Sequence, residues 1–237
     1  MYNKVKKIIN PLYMVGGCVR DEILEIKPKD YDFITSLTPD EIEARVRADK
    51  RKPYLVGKRF GTIGFKVDGE MVEVTTFRTE KYEKGSRKPK VEFVDNLHDD
   101  LSRRDFTINA MAKRGKKLID PFGGVNDLKT KTLRCVGNTR TRFREDPLRM
   151  LRAARFIAQL RLINIDKDVY KKILELNYKI LSVSKERWMI ELDKLLLSDN
   201  PVLGLDFLMY TKLMNYIIPE LSLQLDYNQN SKYHNFD

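Results

Sequence analysis

Cysteine and histidine are nearly missing from this 237-residue chain, which has two of each: Cys18, Cys135, His98 and His234. Two thiols are too few for a disulfide scaffold, and two imidazoles argue against a Cys/His metal centre. No apolar run reaches the length of a membrane span. The basic start, Met1-Tyr2-Asn3-Lys4-Val5-Lys6-Lys7, lacks the apolar stretch of a signal peptide. These absences predict a reduced, cytoplasmic protein. Acid is also scarce: 34 Asp and Glu stand against 45 Lys and Arg, a net charge of +11. That excess predicts a polyanionic partner, nucleic acid before membrane, with a generic basic surface as the plain alternative. The chain is 42% hydrophobic, enough for a real core in one large or two small domains.

The most informative stretch is Gly16-Gly17-Cys18-Val19-Arg20-Asp21, followed by Asp30-Tyr31-Asp32-Phe33. Leu12–Val15 reads as a buried strand and Val19–Glu25 as a helix. A strand, two glycines and a helix start bring backbone N–H groups together where they can hold an anion, and Arg20 could add a charged fork to a phosphate. The plain alternative is a tight turn with Arg20 in a surface ion pair. Asp30 and Asp32 would share one strand face, roughly 7 Å apart, as a carboxylate pair that a cation would stabilise. The alternative is a solvated acidic edge. Gly64–Val67 and Met71–Phe77, joined by Asp68-Gly69, read as a hairpin with a type I′ turn. Glu73 lies between two inward valines, Val72 and Val74, and would face the metal side. An ordinary outward strand residue is its alternative.

Downstream, Thr38-Pro39-Asp40-Glu41 predicts a capped helix to about Asp49. Tyr54–Gly57 would open the strand region, and Lys81–Lys90 reads as a polar, basic loop. Asn96 to Ala112 is predicted as one helix capped by Asn96, carrying Arg103, Arg104 and Asp105. A long helix is predicted from Glu145 to Arg161. On it Asp146, Arg149, Arg152 and Arg155 occupy one half, with an apolar half opposite. Asp146 and Arg149, one turn apart, offer an acceptor and a donor to a base edge. Helices over Asp166–Leu181, Lys185–Leu197 (capped by Ser184) and Pro201 to about Ile217 follow.

Gly-Gly-x-Val-Arg-Asp with Asp-Tyr-Asp-Phe resembles the class II tRNA nucleotidyltransferases, the CCA-adding enzymes, and their relatives the bacterial poly(A) polymerases. Leu101–Ala112, Asp120-Pro121-Phe122-Gly123-Gly124 and Glu145-Asp146-Pro147-Leu148-Arg149 match the same family in order. Val183–Arg187 is a looser match. The resemblance spans roughly residues 12–220. It implies an α+β fold: a polymerase-beta-like nucleotidyltransferase head with a mixed sheet, about 1–137, then an all-α neck and partial body, 138–237, without the tail domain.

It further implies that Asp30 and Asp32 hold two Mg²⁺ ions with Glu73 assisting, and that Gly16, Gly17, Arg20, Arg104 and Asp105 bind the nucleotide. Asp146 and Arg149 would read the base as a protein template, while Arg152 and Arg155 would hold the nucleotide or primer end. CTP and ATP would be the substrates and the tRNA 3′ end the acceptor. In the family a flexible loop near Lys81–Lys90 aids the switch from C to A addition. The final Tyr233-His234-Asn235-Phe236-Asp237 looks like the start of a further, His-Asp-type domain. A poly(A) polymerase, or a silent RNA-binding module with a relic site, are the competing readings.

Overall fold

Asp68 and Gly69 both take positive φ, 52° and 84°, as a two-residue type I′ turn requires. They therefore close the predicted hairpin, pairing Val67 with Glu70 and Gly64 with Glu73. The computed structural model of the chain describes residues 1–28, 30–81 and 90–223. The predicted basic loop, nearly all of it, and the last five residues lie outside that range. The chain forms two compact units, Met1–Thr130 and Lys131–Asp237.

The first unit runs α1 (Tyr2–Ile8), β1 (Tyr13–Val15), α2 (Gly17–Ile23), β2 (Asp32–Thr35), α3 (Pro39–Ala48), β3 (Thr62–Val67), β4 (Glu70–Thr76), β5 (Arg78–Lys81), β6 (Lys90–Phe93), α4 (Leu97–Ser102), β7 (Ala112–Arg114), β8 (Lys117–Ile119) and α5 (Gly124–Lys129). Six strands form one sheet in the order β3-β4-β2-β1-β7-β8. β2 and β4 pair in parallel; the other neighbours are antiparallel. The sheet is therefore mixed, as expected. Val15, Ile34, Phe77, Leu101 and Ala112 form a core cluster, with Tyr13 and Phe122 packed against it. α3 starts with the predicted capping box: Thr38 accepts from Glu41 N, and the Glu41 carboxylate accepts from Thr38 N. Tyr54 makes only an isolated bridge to Gly64 before a 3-10 turn at Lys58–Phe60, so no strand opens there.

The predicted helix from Asn96 to Ala112 is broken. Asn96 does cap α4, accepting from His98 N at 2.9 Å, but the helix stops at Ser102. Asp105 Oδ1 accepts from the next residue's N–H, that of Phe106, at 2.8 Å. Such a local bond competes with helix continuation. A 3-10 turn at Thr107–Asn109 and strand β7 follow. Phe106, Ile108 and Met111 are fully buried, so core packing sets this path.

The second unit runs β9 (Thr132–Leu133), α6 (Thr139–Glu145), α7 (Leu148–Leu160), β10 (Asn164–Ile165), α8 (Lys167–Leu176), α9 (Lys185–Leu196), α10 (Pro201–Tyr210), α11 (Met214–Ile217) and α12 (Pro219–Ser222). At its start Thr132–Leu133 pairs in parallel with Asn164–Ile165 of the same unit. The predicted helix from Glu145 is really two. Asp146 is extended (φ −140°, ψ 101°), the conformation favoured before a proline, and Pro147 is the N-cap of α7. Two predicted helices are also shorter: α8 gives way to a 3-10 turn at Asn177–Ser182, and α10 ends before α11 begins. No helix among the described residues is long and apolar enough to cross a membrane.

Candidate active site

Asp32 and Glu73 are direct partners in the parallel pairing of β2 and β4. Val72 and Val74 are buried while Glu73 is exposed, so strand alternation brings the two acids to one side. Asp30 lies on a bend before β2, not on the strand; the expectation of two aspartates on one strand face is corrected. It still joins the group, because Asp30, Asp32, Tyr31 and Glu73 line a cavity of about 680 Å³. Asp32 and Glu73 also line a second hollow of about 120 Å³, shared with Thr75, Arg78, Arg103 and Arg104. Acids thus stand where two hollows meet, and three guanidinium groups line the smaller one.

Burial pushes the Asp32 carboxyl above the ordinary carboxylate value; the Asp30 charge adds to this and Arg104 opposes it. Asp32 keeps a solvent-facing surface where it lines the cavity. A cation would relieve both causes. Among the described residues no three Asp, Glu, His or Cys side chains gather closely enough to enclose an ion alone. The carboxylate donors nevertheless suit Mg²⁺, which keeps several waters and shares the rest of its shell with substrate phosphates.

Gly16 joins β1 to α2 with φ +72°, and a Cβ there would lie 2.9 Å from Arg104 Nη1 and 3.9 Å from Asp32 Oδ2. Only glycine lets the chain pass between that cation and that acid. Its N–H donates to Met111 O at 3.2 Å, so this first amide of the expected cradle is committed inside the protein. At Gly17 a Cβ would meet the Arg20 guanidinium at 3.5 Å. Arg20 in turn donates through Nε and Nη2 to Asp21 (2.9 and 2.7 Å) and through Nη1 to Asn109 Oδ1 at 2.8 Å. Its fork braces the turn.

Asp100, fully buried, organises the arginines. Its Oδ1 accepts from Arg103 Nε and Nη2 (3.1 and 3.0 Å) and from Arg78 N, and its Oδ2 from Arg104 Nη2 at 3.3 Å. Glu80 takes the other end of Arg103 at 2.7 Å. Asp105 is buried and accepts from Phe106 N and Asn109 Nδ2. Sequence reasoning missed Arg78, Glu80, Asp100 and Asn109 as parts of the site. The i, i+3 and i, i+4 spacing of Asp100 to Arg103 and Arg104 was the available signal. The Asp120 turn is architectural: its carboxylate accepts from Gly124 N and Val125 N. A Cβ on Gly124 would drive into the Thr107 carbonyl.

In the second unit Asp146 sits between helices, with Oδ1 accepting from Leu148 N at 3.2 Å and Oδ2 from Arg187 Nη2 at 2.9 Å. Arg149 donates to Glu145 Oε2 at 2.9 Å and to Arg142 O. The expected outward row of arginines is corrected: Arg149 and Arg155 are buried, 7% and 8% exposed. Arg155 pairs with Glu191 at 3.0 Å, Arg152 with Glu191 at 3.5 Å, and both guanidinium groups lie over the Phe156 ring.

Residues 12–134, just over half the chain, match the poly(A) polymerase head domain. The chain belongs to that family. It is the family the sequence resembles, with tRNA nucleotidyltransferases among its members. Residues 163–225 match a second family, described as the probable RNA and SrmB-binding site of polymerase A. A CCA-adding enzyme of Limosilactobacillus reuteri is 42% identical over 215 residues, 90% of this chain and 52% of that protein. One from Bacillus velezensis is 44% identical over 186 residues, 78% of this chain and 46% of that protein. The Bacillus stearothermophilus CCA-adding enzyme, solved in complex with CTP, superposes with a TM-score of 0.84 at 35% identity, covering 95% of this chain and 56% of that one. The Thermotoga maritima CCA-adding enzyme, solved with tRNA, gives 0.72 at 28% identity, covering 92% and 50%. The chain thus spans about half the length of the relatives it matches.

Proposed function

We propose that this chain is the catalytic head and neck of a template-independent tRNA nucleotidyltransferase, adding C, A or both from CTP and ATP to a tRNA 3′ end in the cytoplasm. The observation that carries this reading is the in-register pairing of Asp32 with Glu73, beside a glycine pressed between Asp32 and Arg104. Relatives solved with CTP and with tRNA support it. The proposed domains are a head of about 1–137 and an α-helical neck beyond.

Asp30 and Asp32, with Glu73 assisting, would hold Mg²⁺, which supplies charge neutralisation on the phosphates and a lowered pKa for the primer 3′-hydroxyl. Arg104, oriented by Asp100, would steady the triphosphate, with Gly16, Gly17 and the Arg20-braced turn shaping its seat. Buried Asp105 would fix the ribose contact. The primer oxygen then bonds to the α-phosphorus as the bond to pyrophosphate breaks, in a reaction governed by positioning and charge. Asp146 and Arg149 would present acceptor and donor to the incoming base; Arg152 and Arg155, held by Glu191, would hold the nucleotide or primer end.

The test is nucleotide addition with Mg²⁺ on tRNA primers ending at the discriminator base, at C or at CC, with CTP, ATP or both. One to three defined additions are expected. Long A tails on any RNA would assign the chain to the poly(A) polymerase branch instead, and RNA binding without turnover would mark a silent module.

A further inference from the structure

Phe60 and Phe93 are aromatic side chains left 40% and 46% exposed, and both flank Gly61. The 3-10 turn at Lys58–Phe60 ends on this glycine, whose φ is +90°. A Cβ there would fall 2.8 Å from Phe93 Cε1, so the Phe93 ring rests against bare backbone. Phe93 is also the partner of Arg78 in the antiparallel pairing of β5 and β6, and directly opposed residues put their side chains on one face. Arg78 in turn donates Nη1 to the Phe60 carbonyl. It lines the hollow of about 120 Å³ shared by Asp32, Glu73, Arg103 and Arg104. One arginine therefore joins both rings to the arginine-lined end of the site. Lys58 is tied to Asp40 and Glu43. Arg59 is exposed, with its guanidinium over the Phe60 ring at 4.5 Å from the centroid.

We propose that Phe60 and Phe93, with Arg59, form a stacking platform for the unpaired nucleotides at the 3′ end of the acceptor RNA. This rests on the function proposed above, in which such an end reaches the acids. Its terminal oxygen comes to Asp32 and Glu73, so the nucleotides behind it leave the hollow over its rim. Phe60 and Phe93 are the exposed rings that Arg78 ties to that rim. Every nucleobase has a π face, so stacking holds a strand without reading its sequence. That suits an end whose last base changes after each addition. Arg59 backs the Phe60 ring through a cation–π contact and brings a positive charge to the phosphates between stacked bases.

The test measures equilibrium binding, by fluorescence anisotropy without nucleotide, of two RNA hairpins that share one stem. One is blunt and the other carries a short unpaired 3′ tail. Wild type should bind the tailed hairpin more tightly. Phe60→Ala, Phe60→Leu and Phe93→Leu should each lose about tenfold in affinity for it, with binding of the blunt hairpin unchanged. Leucine keeps apolar bulk without a ring, so its loss separates stacking from packing. Phe60→Trp restores a π face and should recover most of the affinity. In nucleotide addition the leucine variants should raise KM for the tailed RNA by a similar factor and leave KM for CTP near that of wild type. Equal losses on both hairpins, or Phe60→Leu binding the tail as tightly as wild type, would overturn the inference. If wild type prefers the tail through these rings but adds no nucleotide, the proposed function fails and the platform stands. If it adds nucleotides without preferring the tail, the function stands and the platform falls.

Discussion

The two units treat charge in opposite ways. In the first, Asp30, Asp32 and Glu73 line an open cavity of about 680 Å³, and burial, with the Asp30 charge adding to it and Arg104 opposing it, pushes the Asp32 carboxyl above its ordinary value. In the second, Arg149 and Arg155 are buried, and their guanidinium groups already rest on Glu145 and Glu191. Crowded acids lining an open hollow make a donor set that suits a cation. Paired arginines form a surface whose shape is set before any ligand arrives. Removing a charge should therefore cost chemistry in the first unit and stability in the second.

The largest effect expected is Asp32→Asn. Addition should fall by about 10³-fold or more as a principal acid is lost, while the thermal midpoint does not drop, because burial disfavours the charge removed. A clear loss of stability would break the contrast. Next comes Glu191→Ala, which leaves two arginines with their shared acid removed; a cost of about 3–5 kcal/mol in denaturant unfolding is expected for the broken buried pair. Asp100→Asn is the crossing case. It lies in the first unit but is fully buried beneath Arg103 and Arg104, so it should lose both stability and triphosphate affinity. An effect on only one would redraw the comparison. Gly16→Ala should reduce activity by about a hundredfold yet cost only about 1–2 kcal/mol, since the strain of a positive φ is local and the Cβ would displace Arg104.

Smallest is Thr38→Ala, which removes a cap far from either charge pattern and should cost about 1 kcal/mol. Bonds from Thr38 N and Oγ1 hold the Glu41 carboxyl below its ordinary value. The stabilisation they provide is present above the ordinary glutamate range and is lost as pH falls through the lowered value. The gap between wild type and variant should therefore narrow in acid by the part due to the Oγ1–Glu41 carboxylate bond, while the Oγ1 cap on Glu41 N persists, as a pH series of thermal midpoints would record.

Local patterns were legible where one physical signal dominated. The Asp68-Gly69 turn, the Thr38 capping box and the outward Glu73 between inward valines all follow from short-range chemistry. Misreadings arose where periodicity and breakers disagreed. Helical spacing carried the reading through Asp105, although its side chain takes the next N–H, and through Pro147, although a proline fixes the residue before it in extended form. The second error placed four residues on one helix face when Asp146 is off the helix altogether. The grip of Asp100 on Arg103 and Arg104 is local in sequence, but its contact to Arg78 depends on the way β5 returns. Arg187 and Asp146 meet over 41 residues, a contact no short motif encodes.

The parallel pairing of Asp32 with Glu73 makes assembly and chemistry inseparable. Side chains on a strand alternate, so a slip of β4 by one residue would turn Glu73 inward and bring Val72 or Val74 to face the cavity. The same slip would bury an acid and expose two valines. A misregistered head would thus lose its packing and its acid pair together.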